Sequence, residues 1–109
     1  MTAEPLVSVL VCCYNRRDYL AQTIESILDQ DYANIEIVVI DDGSTEGTEQ
    51  MLNDRFGDRL RYFRQDNQGV TAARNRAAAE ARGELIAFQD DDDLMPARRI
   101  TALLAALEA

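Results

Sequence analysis

The chain has 109 residues, 47% of them hydrophobic, with only two prolines and five glycines, the profile of one small folded domain rather than a linker or a disordered segment. Eleven basic against twenty acidic residues give a net charge of −9, so the basic footprint of a nucleic-acid partner is missing. There is no histidine, and the basic residues are all arginine, which excludes a Ser-His-Asp triad, a His-ligated zinc, Schiff-base chemistry and a P-loop lysine.

"LVSVLVCC" (6–13) is a short, nearly continuous apolar run and predicts a strand buried on both faces. Its adjacent Cys12 and Cys13 cannot form a CxxC motif and make a poor disulfide pair. They read as small buried hydrophobes of a reducing compartment. The following stretch places Leu20, Ile24, Ile27 and Leu28 on one helix face, with Asp18 as N-cap. "IEIVVI" (35–40) is a second buried strand ending in "DDGST", where Ser44 or Thr45 is positioned to cap a helix that turns Met51, Leu52 and Phe56 inward. "LRYFR" (60–64) predicts a weaker third strand. An alanine-rich helix follows, stopping at Gly83 as the C′ residue. "ELIAF" (84–88) is the fourth strand, and Pro96 is expected at N1 of a last helix carrying Ile100, Leu103, Leu104 and Leu107.

Strands alternate with helices four times, which implies right-handed βαβ crossovers and a three-layer α/β/α fold with a mostly parallel, Rossmann-like sheet. No apolar run approaches the roughly 20 residues of a membrane span. The first residues, "MTAEPLVS", lack the basic start and apolar core of a signal peptide. A soluble cytoplasmic domain is expected, at most peripheral at the inner face of a membrane.

Ligands of open parallel sheets bind outside the carboxyl ends of the strands. Here each such end carries a polar cluster: "YNRR", "DDGS", "QDNQG" and "QDDDD". "DDGS" is ordinary turn-and-cap composition, but it also offers a carboxylate to a nucleoside, although no GxGxxG follows strand one. Tyr14 and Asn15 can frame a base and a ribose. Gly69, before a helix N-terminus, admits phosphate oxygens closely, and Arg74 in that helix's early turns can contact a diphosphate.

The four carboxylates of "FQDDDDLMP" (88–96) repel one another by roughly 0.6 to 2.6 kcal/mol per neighbouring pair, depending on screening. Along an extended chain Asp90 and Asp92 share one side, Asp91 and Asp93 the other. One pair can therefore hold a hard divalent cation with water and phosphate oxygens. The other pair is left to cap, hydrogen-bond or face solvent.

With these residues in view, the chain resembles the family 2 glycosyltransferases, in their N-terminal, nucleotide-sugar-binding half. The stretches that carry the resemblance are "VSVLVCCYNRRDYLAQTIESILDQDY", "EIVVIDDGSTEGT", "DNQGVTAARNRAAAEARGELIAFQDDDD" and "MPARR", in the family's order and covering nearly the whole chain. The resemblance implies a glycosyltransferase A-type fold, a nucleoside-diphosphate-sugar donor (UDP being the commonest), a divalent Mg²⁺ or Mn²⁺, and inversion at the sugar carbon. It implies that Asp42 meets the base and that Cys12 and Tyr14 line its pocket. Asp90 and Asp92 match the Asp-x-Asp motif, Asp92 as direct metal ligand and Asp90 near ribose and metal, while Arg74 matches a basic position of the donor pocket. Cys12 stands where the family commonly has threonine, and Gln89 replaces an apolar residue. On this reading residues 1–109 are a single nucleotide-diphospho-sugar-binding domain, expected to stop before the acceptor half, with the general base beyond residue 109. The acceptor, whether glycan, lipid or protein, is left open.

A second expectation is a non-catalytic nucleotide-binding or oligomerising module of the same fold, a homo-oligomer formed through exposed apolar surface. A phosphoaspartate receiver domain is disfavoured, because its chemistry expects a lysine.

Overall fold

Valine and isoleucine, stiff at χ1 and suited to a pleated surface, build the centre of the molecule. The structure, a computed structural model, describes residues 4–108. Strand β1 (Val7–Cys13) lies between β2 (Ile35–Asp41) and β4 (Leu85–Asp90), and β3 (Arg61–Arg64) flanks β2, giving the order β3-β2-β1-β4 with every pairing parallel. Helices α1 (Arg17–Leu28), α2 (Thr48–Arg55) and α3 (Val70–Glu80) fill the crossovers, and α4 (Arg99–Glu108) follows β4. Alternate residues of β1 serve opposite faces. Val7, Val9, Val11 and Cys13 pack with α1, α2 and α4 through Leu20, Ile24, Ile27, Leu52 and Ile100. Leu10, with Val38 and Ile40, packs against Ala73 and Ala77 of α3. This is the expected three-layer α/β arrangement. No helix among the described residues is long and apolar enough to cross a membrane.

Several element ends differ from the sequence expectation, each for a tertiary reason. Asp18 lies in the first turn of α1 and Arg16 is the N-cap residue, without a side-chain cap; the Arg17 N–H is donated instead to the Glu46 carboxylate at 2.8 Å. Helix α2 starts at Thr48 with Gly47 as its N-cap residue, because the Ser44 hydroxyl accepts the Asn15 N–H and the Thr45 hydroxyl is turned to the Asn15 side-chain oxygen, so neither accepts from helix amides. Helix α4 starts at Arg99, three positions after Pro96, where the Arg99 N–H closes a turn onto the Pro96 carbonyl. Helix α3 ends at Glu80 with extended Ala81, so Gly83 is not its C′ residue. Gly83 is needed for space: a Cβ there would lie 2.6 Å from the Leu6 carbonyl and 2.7 Å from the Ser8 hydroxyl.

That close approach belongs to a polar network at the amino ends of the strands. The Glu36 carboxylate accepts from the Ser8 hydroxyl, the Arg82 N–H and the Arg61 guanidinium, and the Ser8 oxygen accepts the Gly83 N–H. It lies opposite the edge that carries the candidate site.

Candidate functional site at the carboxyl edge of the sheet

Parallel register brings the strand ends together. Cys13 pairs with Asp41, Asp41 with Arg64, and Cys12 with Asp90, so the loops that follow share one edge. Two adjoining recesses open there. The larger, about 330 Å³, is lined by residues including Cys12, Tyr14, Arg16, Asp42, Asn67 and Asp91. The smaller, about 130 Å³, is lined by residues including Cys12, Arg74, Phe88, Asp90 and Asp91. A wider cleft of about 660 Å³ lies between α2 and β3 and holds no residue of the acidic run.

The two aspartates after β2 have different work. Asp41 is fully buried and accepts from the Ser44 N–H at 2.8 Å, the Tyr62 hydroxyl and the Arg64 guanidinium. Asp42 faces the larger recess and braces the loop before α3. Its Oδ1 accepts from the Gln65 amide at 2.9 Å and the Gln68 N–H at 2.8 Å, and its Oδ2 from the Gly69 N–H at 3.0 Å. Burial alone would raise the Asp42 carboxyl, but these donors hold it below the usual aspartate value. Gly43, at φ 91°, lets the turn pass against Asn67, whose backbone nitrogen would lie 3.1 Å from a Cβ at this position.

The acidic turn is held from outside its own strand. β4 runs to Asp90, and residues 91 and 92 form a turn, so the extended alternation expected through Asp93 stops at Asp90. The buried Thr23 hydroxyl of α1 sits 2.8 Å from the Asp93 carbonyl and 3.2 Å from that of Asp91. Ser26 accepts the Met95 N–H at 2.9 Å. The Gln30 amide donates to the Pro96 carbonyl at 2.6 Å and accepts the Ile100 N–H at 3.2 Å. Gln89, buried in β4, donates to the Asp93 carbonyl at 3.2 Å and accepts from Arg99 at 2.6 Å. Gln89 thereby ties the acidic turn to the start of α4.

Of the residues singled out from sequence, Cys12, Tyr14 and Asp42 line the larger recess, and Cys12, Arg74 and Asp90 the smaller. Burial pushes the Cys12 thiol up to about 11, against the pull of Arg74, so Cys12 is a neutral wall and no nucleophile. The Arg74 guanidinium lies 5.6 Å from the centre of the Phe88 ring. Three others are placed differently. Asn15, at φ 50°, accepts the Thr45 N–H at 2.8 Å and clasps the loop after β1 to the loop after β2. The Gly69 N–H is committed to Asp42. Asp92 lines neither recess and pairs with Arg16, Oδ2 to Nη1 at 3.3 Å, both side chains nearly half exposed. Asp91, assigned from sequence to capping or solvent, lines both recesses. Burial raises its carboxyl above the usual aspartate value, opposed by the Tyr14 N–H and Arg16. Arg16, Asn67 and Asp91 stood in the strand-end clusters "YNRR", "QDNQG" and "QDDDD" without a site role of their own, and the Thr23–Ser26–Gln30 strip was not marked by any local motif.

No three His, Cys, Asp or Glu side chains among the described residues form a ready-made metal cage. What the turn offers is a partial shell of hard oxygen donors, with the Arg16 guanidinium standing as a positive group at Asp92. That donor set fits a cation such as Mg²⁺, which keeps waters and completes its shell with substrate phosphates.

Comparisons with known proteins agree with this architecture. The sequence model described as "Glycosyl transferase family 2" matches residues 8–109. A relative named for teichuronic acid biosynthesis, the glycosyltransferase TuaG of Bacillus subtilis (strain 168), is 40% identical over 93 residues, covering 83% of this chain and 37% of its own length. Among solved structures, S. aureus TarS 1-349 in complex with UDP superposes with a TM-score of 0.85 at 30% identity, covering 94% of this chain and 32% of that one. The mannosyltransferase PcManGT from Pyrobaculum calidifontis, in complex with GDP-Man and Mn²⁺, gives 0.79 at 31% identity, covering 93% and 31%. The chain spans 15% to 40% of the length of the relatives it matches. Its sheet is the glycosyltransferase A-type fold of these neighbours, and the chain belongs to glycosyl transferase family 2.

Proposed function

We propose that this chain is the donor-binding part of a metal-dependent, inverting glycosyltransferase. Its twin recesses take a nucleoside-diphosphate sugar, a UDP-sugar first, with Mg²⁺ or Mn²⁺ at Asp90 and Asp92. The observation that carries the reading is the convergence of Cys12, Tyr14, Asp42, Arg74 and Asp90 on two adjoining recesses at the carboxyl edge of one parallel sheet. The complexes of TarS with UDP and of PcManGT with GDP-Man and Mn²⁺ support it.

Cys12 and Tyr14 wall the base. A carboxylate offers about four lone-pair sites, and three protein donors occupy Asp42, two of them on Oδ1; the remaining capacity on Oδ2 can take one N–H of a base. Asn15 acts by clasping the loops rather than by touching the ligand, and the Gly69 turn opens α3 toward the phosphates. Arg74, beside Asp90, takes the diphosphate. A bound cation would supply Lewis-acid stabilisation of charge on the departing nucleoside diphosphate. The acceptor site and general base are expected outside these 109 residues, so this chain alone binds donor without completing transfer.

The test is a thermal-shift panel of UDP, GDP, TDP and CMP, with and without Mn²⁺, on the wild type and Asp92→Asn. Ligand at a hundredfold excess over Kd stabilises by about 2.7 kcal/mol, so a Mn²⁺-dependent rise with one nucleoside diphosphate is expected, its metal-dependent part lost in Asp92→Asn. No response to any nucleotide overturns the reading. A second reading, an oligomerising module, draws on the apolar side chains exposed on and beside β4: Ile86 at 47% and Phe88 at 45%, with Leu103 and Leu107 of α4. Concentration-dependent sedimentation without any nucleotide response would favour it.

A further inference from the structure

We infer that Arg16 is a built-in counter-ion of the acidic turn, which a divalent cation displaces from Asp92 and which then serves the diphosphate. The inference rests on the donor-site reading and deepens it with a residue to which the sequence assigned no role. Among the described residues, Arg16 alone both lines the larger recess and ion-pairs with Asp92. Its neighbour Arg17 is turned elsewhere, its backbone N–H and guanidinium both bonded to Glu46.

The pairing has the features of a latch that must open. Asp92 and Arg16 come from loops 76 positions apart in sequence, so the contact bridges the mouth of the site from the loop after β1 to the loop after β4. A single contact at 3.3 Å with both side chains nearly half exposed is weak, weak enough for a divalent cation to replace. While it holds, the positive group relieves the repulsion among Asp90, Asp91 and Asp92. Once a cation takes that duty, the guanidinium, which already lines the larger recess beside Asp91, is free to turn to a diphosphate lying where the two recesses adjoin, and offers the paired donors that phosphate oxygens accept. Arg16 therefore opposes one ligand and favours the other.

That opposition yields a signature that a merely structural arginine does not produce. Mn²⁺ binding to the 109-residue chain is measured without nucleotide, from the electron paramagnetic resonance signal of free Mn²⁺, and UDP binding is measured by calorimetry at saturating Mn²⁺. Arg16→Ala is expected to bind Mn²⁺ about two- to fivefold more tightly, the worth of an exposed ion pair, and UDP roughly tenfold more weakly, the loss of a charge-assisted contact. Arg16→Gln, which keeps the side chain's length, is expected to move both in the same senses. Arg98→Ala removes an equal charge from an exposed site paired to Asp31 and is expected to change neither. Unchanged affinities in Arg16→Ala, a shift of both in one direction, or the same effect in Arg98→Ala would each overturn the latch while leaving the donor site standing. A wild type that binds neither Mn²⁺ nor UDP would overturn the donor-site reading, and the latch with it.

Discussion

Asp91 carries the least comfortable charge of the acidic turn. Burial raises its carboxyl above the ordinary aspartate value of 3.8, so its contribution to stability is complete below that value and is lost as the pH rises through the raised one. At neutral pH the folded protein holds this carboxylate at a cost. Asp91→Asn keeps an oxygen for the Tyr14 N–H and removes the charge. It is expected to raise Tm at pH 7, to lose that advantage near pH 4, and to reduce the nucleotide-dependent shift, because Asp91 lines both recesses; melting curves at the two pH values check this. The sequence placed the acidic run at the correct edge but parsed it by period-two alternation, which holds only while the chain stays extended. The strand ends at Asp90, and what bends the chain there is bonded from Thr23 and Gln89, partners that no local pattern names. Cys12, Tyr14 and Asp42 were legible because strand ends in a parallel sheet are a rule of topology. Asn15 and Gly69 were legible as special positions, but their hydrogen bonds, to Thr45 and Asp42, could not be read locally.

Helix α1 serves two masters along its length. Its apolar stripe of Leu20, Ile24 and Ile27 enters the core, as the 3.6-residue period announces. A second, polar strip, Thr23 and Ser26 on α1 with Gln30 just past its end, grips residues 91–100 through carbonyls and N–H groups. The apolar stripe is visible from spacing alone. The polar one is not, since two hydroxyl residues on a helix and an amide just past its end look like solvated surface until the segment some seventy positions later is laid against them. Replacing Thr23 by the near-isosteric valine keeps the packing and strips a donor from two carbonyls. Thr23→Val is expected to cost about 2 kcal/mol in urea unfolding and to weaken Mn²⁺-dependent nucleotide stabilisation beyond that, because the turn carrying Asp90 to Asp93 loses its brace. Loss of stability with ligand stabilisation intact would show that the turn keeps its geometry without α1.

For the whole molecule, the alternation of apolar runs and helical periods was enough to read a parallel three-layer sheet. The strand order needed the crossovers and the burial on both faces of β1. The opposite edge from the site supplies a stability handle. Burial opposes the charge of Glu36, but the Ser8 hydroxyl, the Arg82 N–H and the Arg61 guanidinium prevail and hold its carboxyl below the ordinary 4.5. Its stabilisation is therefore present in full above that value and is withdrawn as the pH falls through the lowered one. Glu36→Gln is expected to lose about 2 kcal/mol at pH 7, and urea midpoints of mutant and wild type should converge in acid.

The place of β4 in the sheet has a kinetic consequence. β1 pairs Val7 with Ile35 on one side and with Leu85 on the other, so joining β4 closes the longest loop in the sheet, at about 1 kcal/mol more chain entropy than joining β2. Asp90 and the turn beyond it hang from that least local seam. The side of the larger recess built from Cys12, Tyr14 and Asp42 comes together once β1 and β2 meet, while its Asp91 wall and the smaller recess wait on a less local contact.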